Sequence, residues 1–240
     1  MSMQDRYPCP CCGYKTLALA PPGTDLSCPI CGWEDQGERH SSGSKQVSLQ
    51  QAQRNFIAFG ACERLWLNDV RPPTEADMHD PNWQTIDQSM EKTRLELIEK
   101  IAVAFEDVTL EDGISLHQAR AFDDYEDGEA ARQIDGNMRW QELPDAWLEE
   151  FFDVFSFMDA KGLRHAIPAY MTWCLQLSPA AYGLQSFEST CEILTSVVNQ
   201  CRYGERALLK LLDQPQRQIM AEVLEFLEQL EFLDRQLIKH

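Results

Sequence analysis

The sequence predicts a mainly α-helical protein in two parts, a small N-terminal cysteine-knuckle module followed by an all-α helical bundle. Three observations carry this. Two C-x2-C pairs, Cys9–Cys12 and Cys28–Cys31, lie near the N-terminus with 15 residues between them, each followed by glycine. Beyond residue 85 the apolar residues recur at helical spacing, and no run alternates as a strand would. The acidic charge is concentrated there as well. Residues 86–240 carry 29 acidic and 14 basic side chains, and residues 1–85 carry 10 and 7.

The knuckles predict a metal. In each pair one cysteine precedes a tight turn and the other follows it. Glycine lets the backbone amides turn towards the sulfurs, and Pro10 and Pro29 stiffen the turns. The spacing belongs to zinc ribbons and rubredoxin-like knuckles. It points to Cys9, Cys12, Cys28 and Cys31 around a structural Zn²⁺, with iron as the other tenant of a four-thiolate site. Cys11 is either a bystander thiol or a replacement for Cys12. The glycine directly after Cys12 matches the one after Cys31 and favours Cys12. Tyr14 and Trp33, next in line, are expected to pack over the site.

The elements follow in order. Short hairpins at the knuckles are the only strands expected. Ser48 with Gln51 forms a capping box, so a helix runs from there to about Asn68, packing Leu49, Ala52, Phe56, Phe59, Leu65 and Leu67 on the metal module. The proline-punctuated stretch from Val70 to Trp83 reads as a surface linker and closes a domain over residues 1–85. The second domain, residues 86–240, opens with an amphipathic helix from Met90 to Phe105. Ser115 caps a short helix through Phe122, and residues 126–134 form another. Pro144 starts a helix over Asp145–Met158. Further helices are expected over Leu163–Leu177, Thr190–Cys201 and Glu205–Leu212, then from an Asp213–Gln216 cap to Leu237.

Composition bounds the function. The net charge of −18 repels nucleic acid and anionic membranes and attracts basic partners. Around the knuckles Lys15, Arg39 and Lys45 are opposed by Asp25, Glu34, Asp35 and Glu38, which is no nucleic-acid footprint. No apolar run is long enough to span a bilayer, and Met1–Arg6 holds no secretory core. The remaining cysteines (Cys11, Cys62, Cys174, Cys191, Cys201) are scattered, as expected of thiols in a reducing cytoplasm.

The densest acidic run surrounds Asp123-Asp124-Tyr125-Glu126-Asp127. It reads as a solvated face, as a docking surface (Asp123, Asp124, Glu126, Asp127, Glu129) for a basic partner, or as a metal or catalytic site. His117 and Asp124, seven residues apart, can share a helix face. No nucleophile elbow, phosphate loop or dinucleotide fingerprint is present.

Tyr7-Pro8-Cys9-Pro10-Cys11-Cys12-Gly13-Tyr14, Cys28-Pro29-Ile30-Cys31-Gly32-Trp33-Glu34-Asp35 and Asn55-Phe56-Ile57-Ala58-Phe59-Gly60, with Val70-Arg71-Pro72-Pro73 and Asp80-Pro81-Asn82-Trp83, resemble the bacterial cysteine-rich CPCC family. The resemblance covers about residues 5–85. It implies a small zinc-binding module without an established activity, associated loosely with toxin–immunity neighbourhoods. The later part is similar to a second uncharacterised bacterial helical family, on Ile114-Ser115-Leu116, Asp123-Asp124-Tyr125, Trp140-Gln141-Glu142-Leu143 and Gly162-Leu163-Arg164 leading to Ile167-Pro168-Ala169-Tyr170-Met171.

Charge, missing catalytic motifs and resemblance together lead to one expectation. The chain is a non-catalytic cytosolic binding protein, specifically an immunity protein that neutralises a basic toxin or effector. The alternatives are an enzyme using Asp123, Asp124 and His117, and a zinc-ribbon nucleic-acid binder.

Overall fold

The computed structural model describes residues 6–36, 47–177, 188–192, 194 and 207–237. They are mostly helical, with a short hairpin and a cysteine cluster at the N-terminal end. The chain groups into two compact units, with one boundary between Lys92 and Thr93 and a second between Phe232 and Leu233.

In the first unit, β1 (Tyr7–Pro8) pairs antiparallel with β2 (Lys15–Leu17), placing Tyr7 opposite Leu17. Helix α1 (Leu49–Phe59) starts where the capping signal placed it, with the Ser48 side chain accepting the Gln51 N–H. It stops well short of Asn68. Gly60 takes a left-handed conformation (φ 87°) and donates its N–H to the Phe56 carbonyl, a C-cap available to glycine at little cost. Arg64–Trp66 then forms a separate 3₁₀ turn. As a result Leu49, Ala52 and Phe56 pack on the cysteine core, while Leu65 and Leu67 are exposed rather than buried.

The stretch expected as a linker is a strap. The Lys15 N–H donates to Met78 O, the Asp80 N–H to Gly13 O, and the Arg71 N–H to Pro29 O, so its backbone is tied to both knuckles. Helix α2 (Ile86–Ala104) begins four residues before Met90. The Thr85 hydroxyl accepts the Gln88 N–H, and the Gln88 side chain accepts the Thr85 N–H in return.

The second unit contains the rest of α2, then α3 (Leu116–Asp123), α4 (Gly128–Asp135), α5 (Asp145–Glu150), α6 (Ala160–Gln176), α7 (Ala207–Leu211) and most of α8 (Gln214–Leu237). Helix α6 is its centre, with His165 to Met171 continuously buried and Pro168 accommodated within it. It starts at Ala160, ahead of Leu163, because Asp159 caps it, accepting the Gly162 N–H at 2.8 Å and the Ile114 N–H at 3.0 Å. The helix expected over Asp145–Met158 breaks at Phe151, and a 3₁₀ turn (Val154–Phe157) follows. The broken turn is held by Tyr170, whose hydroxyl donates to the Phe151 carbonyl at 2.8 Å. Trp140 similarly donates its indole N–H to Phe105 O at 2.9 Å. Of the helix expected over Thr190–Cys201, residues 190–192 and 194 are helical and the remainder lies outside the described residues. Among the described residues no helix is long and apolar enough to cross a membrane.

Helix α3 carries a complete capping box, in which the Ser115 hydroxyl accepts the Gln118 N–H and Gln118 returns a bond to the Ser115 N–H. Ser115 is buried, so Ser115→Ala should cost about 1 kcal/mol. Urea denaturation followed by far-UV circular dichroism checks this, and an unchanged midpoint contradicts it.

Candidate metal centre

The two knuckles are near-copies in backbone terms. The Cys9 N–H donates to Tyr14 O and the Gly13 N–H to Cys9 O. In the second knuckle the Cys28 N–H donates to Trp33 O and the Gly32 N–H to Cys28 O. Both glycines have φ of 76°, the left-handed region that side chains disfavour. Each turn aims two sulfurs inward. The four sulfurs of Cys9, Cys12, Cys28 and Cys31 lie within 4.8 Å of one another, with Cys9–Cys31 at 3.7 Å and Cys12–Cys28 at 3.6 Å.

These distances test the fit to a metal. Four sulfurs at about 2.3 Å from one tetrahedral ion are about 3.8 Å apart, close to the spacing found. A disulfide requires about 2.05 Å, and none joins any of the eight described cysteines. The donor set therefore fits a thiolate-bound metal ion. Among the described residues no other group of three or more His, Cys, Asp or Glu side chains is placed to hold one. Cys11 is fully buried beside the site but outside the four-sulfur group.

The electrostatics point the same way. Cys28 is held far below the usual thiol range, foremost by the hydrogen bond from Cys12 and then by those from Cys31 and Cys9, with Thr16 donating at 3.1 Å. Cys12 is pushed far above that range, chiefly by sharing a proton with Cys28. Cys31 is raised too, foremost through Cys11. Burial moves the neighbouring Cys62 thiol up to about 12. With Cys12 and Cys31 pushed towards the protonated thiol, a metal ion entering the site displaces protons.

Several residues outside the cysteine pairs close the site. Gln53, buried on α1, donates to Pro10 O at 2.9 Å and accepts the Ile86 N–H at 2.8 Å. The Trp83 indole N–H also donates to Pro10 O, and His79 Nε2 lies 3.2 Å from Cys12 O. Trp83 and His79 cover Gly13, where a Cβ would come within 2.7 Å of the indole. Trp66 covers Gly32 in the same way, at 2.8 Å. Trp33 is in the core of this cluster, and Tyr14 packs at its edge.

The five carboxylates expected to bind a partner fall along the α3–α4 turn, but not as one group. Asp123 pairs with Arg120 at 2.9 Å, and Arg120 also binds Asp153. Asp127 caps α4, accepting the Glu129 and Ala130 N–H groups. Asp124, Glu126 and Glu129 are exposed, with Tyr125 between the first two. His117 does not meet Asp124. Its backbone N–H and ring Nδ1 lie 3.0 and 3.2 Å from Oδ2 of Asp135, which is 1% exposed. The Trp147 and Phe151 rings pack edge-on around the imidazole. This arrangement clamps α3 to the end of α4.

Fold and site thus define a helical protein with an N-terminal cysteine cluster able to hold a metal ion. Two family models match the chain, one over each part. The cysteine-rich CPCC family matches residues 7–77, and a family of unknown function, DUF6714, matches residues 93–239. The second match spans more than half of the chain, and the chain belongs to that family. No curated protein and no solved structure matches.

Two outcomes are expected. Because Cys12 and Cys31 hold their protons in the metal-free site, loading with Zn²⁺ at neutral pH should release protons, and apparent affinity should fall as pH drops. Calorimetry in buffers of differing ionisation enthalpy reads this directly, and zero proton release contradicts it. Gly32→Ala forces both a left-handed alanine and a clash with Trp66, at a cost on the order of 2 kcal/mol, measured as faster loss of metal to a competing chelator.

Proposed function

We propose that the chain is a non-catalytic binding protein whose metal site is structural zinc and whose acidic helical domain captures a basic protein. In its most specific form this is a cytoplasmic immunity protein that neutralises a toxin or effector. The closed metal site supports the structural role. All four cysteines are at most 1% exposed, whereas a catalytic zinc keeps an open position. The absence of disulfides among the described cysteines is in keeping with a reducing compartment.

The observation that carries the binding role is Tyr125. It is 98% exposed, its backbone is left-handed (φ 60°), and it stands between Asp124 and Glu126 at the apex of the acidic turn. A large aromatic ring held in water by a strained backbone gains nothing from the fold around it. Buried in a partner, it becomes an anchor of the kind that dominates interfaces, and the flanking carboxylates speed encounter with a cationic surface.

The test is affinity capture with the full zinc-loaded chain from its native host, followed by measurement of the purified pair. A basic partner is expected, released by moderate salt. Tyr125→Ala should weaken it by about 2 kcal/mol, and Asp124→Lys with Glu126→Lys should slow association. A neutral or acidic partner, or one indifferent to salt and to Tyr125, overturns the reading. Elemental analysis separates zinc from iron.

A further inference from the structure

We propose that Cys11 is a reserve ligand of the metal centre, held against Cys31 so that its sulfur can take over that position and give a bound soft divalent cation an exchange route inside the protein. The inference rests on the reading of the cysteine cluster as a metal centre, and it assigns a role to the knuckle cysteine that the four-sulfur group leaves over.

Cys11 is as deeply covered as the four cysteines it adjoins, 0% exposed, and it packs in one core cluster with them and with Cys62. The backbone on either side of it is clamped. The Pro10 carbonyl, which leads into Cys11, accepts the Gln53 side-chain N–H from α1 at 2.9 Å and the Trp83 indole N–H from the strap at 3.0 Å. The Cys12 carbonyl lies 3.2 Å from His79 Nε2. A turn held at residues 10 and 12 keeps the side chain between them inside, against the second knuckle. There the Cys11 thiol is hydrogen-bonded to that of Cys31. Cys31 is anchored in turn, its carbonyl accepting the Cys62 N–H at 2.7 Å.

A thiol in this place is more than apolar filler. Sulfur is a soft donor, suited to the same cations as the four cysteines beside it. A change between staggered rotamers sweeps a cysteine sulfur through about 3 Å. That is comparable with the 3.7 Å between the sulfurs of Cys9 and Cys31. Rotation of the Cys11 side chain therefore suffices to bring its sulfur towards the position of Cys31, with both backbones left in their hydrogen bonds. Closure of the site makes an internal donor useful. All four cysteines of the group are at most 1% exposed, so an incoming ligand from solvent has no direct approach.

The experiment uses the full chain. Zn²⁺-loaded protein is mixed with isotopically enriched Zn²⁺, and exchange is followed by mass spectrometry. Cys11→Ala should slow exchange about fivefold or more, whereas Cys62→Ala, the loss of an equally buried thiol, should change it less than about twofold. Co²⁺ then counts the donors through its thiolate charge-transfer absorption. Cys31→Ala should keep the intensity of the unmutated chain, and adding Cys11→Ala should remove about a quarter of it, one thiolate in four. Three results overturn the proposal: exchange in Cys11→Ala as fast as in the unmutated chain or faster, equal slowing by Cys62→Ala, or the same loss of absorption in Cys31→Ala with and without Cys11→Ala. If Cys31→Ala does not fold, the exchange rates decide. A chain that takes up neither Zn²⁺ nor Co²⁺ overturns the metal-centre reading itself, a result distinct from the other three.

Discussion

Four sulfur atoms brought within 4.8 Å of one another in a buried site impose the main constraint on the N-terminal unit. They cannot all carry charge unless a cation sits among them, and they cannot relax into disulfides at the separations found. Everything around them makes that convergence tolerable. The amides of each knuckle fold inward on a left-handed glycine, α1 supplies apolar cover, and the strap takes up the carbonyls that point outward. A module this small has little apolar core beyond its cysteines, so bonds to a metal ion would take the place that aliphatic packing holds in a larger domain.

The helical unit handles its charge in a different way. Several of its carboxylates have structural tasks. Asp159 caps α6 and steadies Ile114, Asp127 caps α4, and the buried Asp135 ties His117 to the end of the same helix pair. Others, Asp124 and Glu126 among them, remain exposed beside Tyr125. The acidity thus divides into a structural share that organises helix ends and a share left exposed on the surface. A count of charges along the chain does not distinguish the two.

What could be read in advance follows from how local the physics is. The caps at Ser48, Ser115 and Asp213 are decided within four residues, and all three helices start where those signals lie. The knuckle glycines are equally local, as is the pairing of cysteine spacing with turn geometry. The misses were set by distant partners. Phe151 ends α5 in company with Tyr170, nineteen residues away. His117 finds Asp135 across a helix hairpin. The stretch from Val70 to Trp83 has the composition of a linker, and only the three-dimensional position of Pro10, Cys12 and Gly13 turns it into a lid. Gln53 belongs with these, a polar residue on a buried helix face whose two partners lie more than thirty residues away in opposite directions.

That lid has a consequence for how the chain is divided. The CPCC family match ends at residue 77 and the DUF6714 match begins at residue 93. His79, Asp80, Trp83 and the Ile86 amide, which finish the first knuckle, all fall between them. The match to the cysteine-rich family is therefore shorter than the stretch that covers the cysteine cluster. A chain cut at residue 77 would lose the cover that His79, Trp83 and Ile86 give the first knuckle. The segment between the two family matches is thus part of what would decide how firmly a metal ion is kept by the first knuckle.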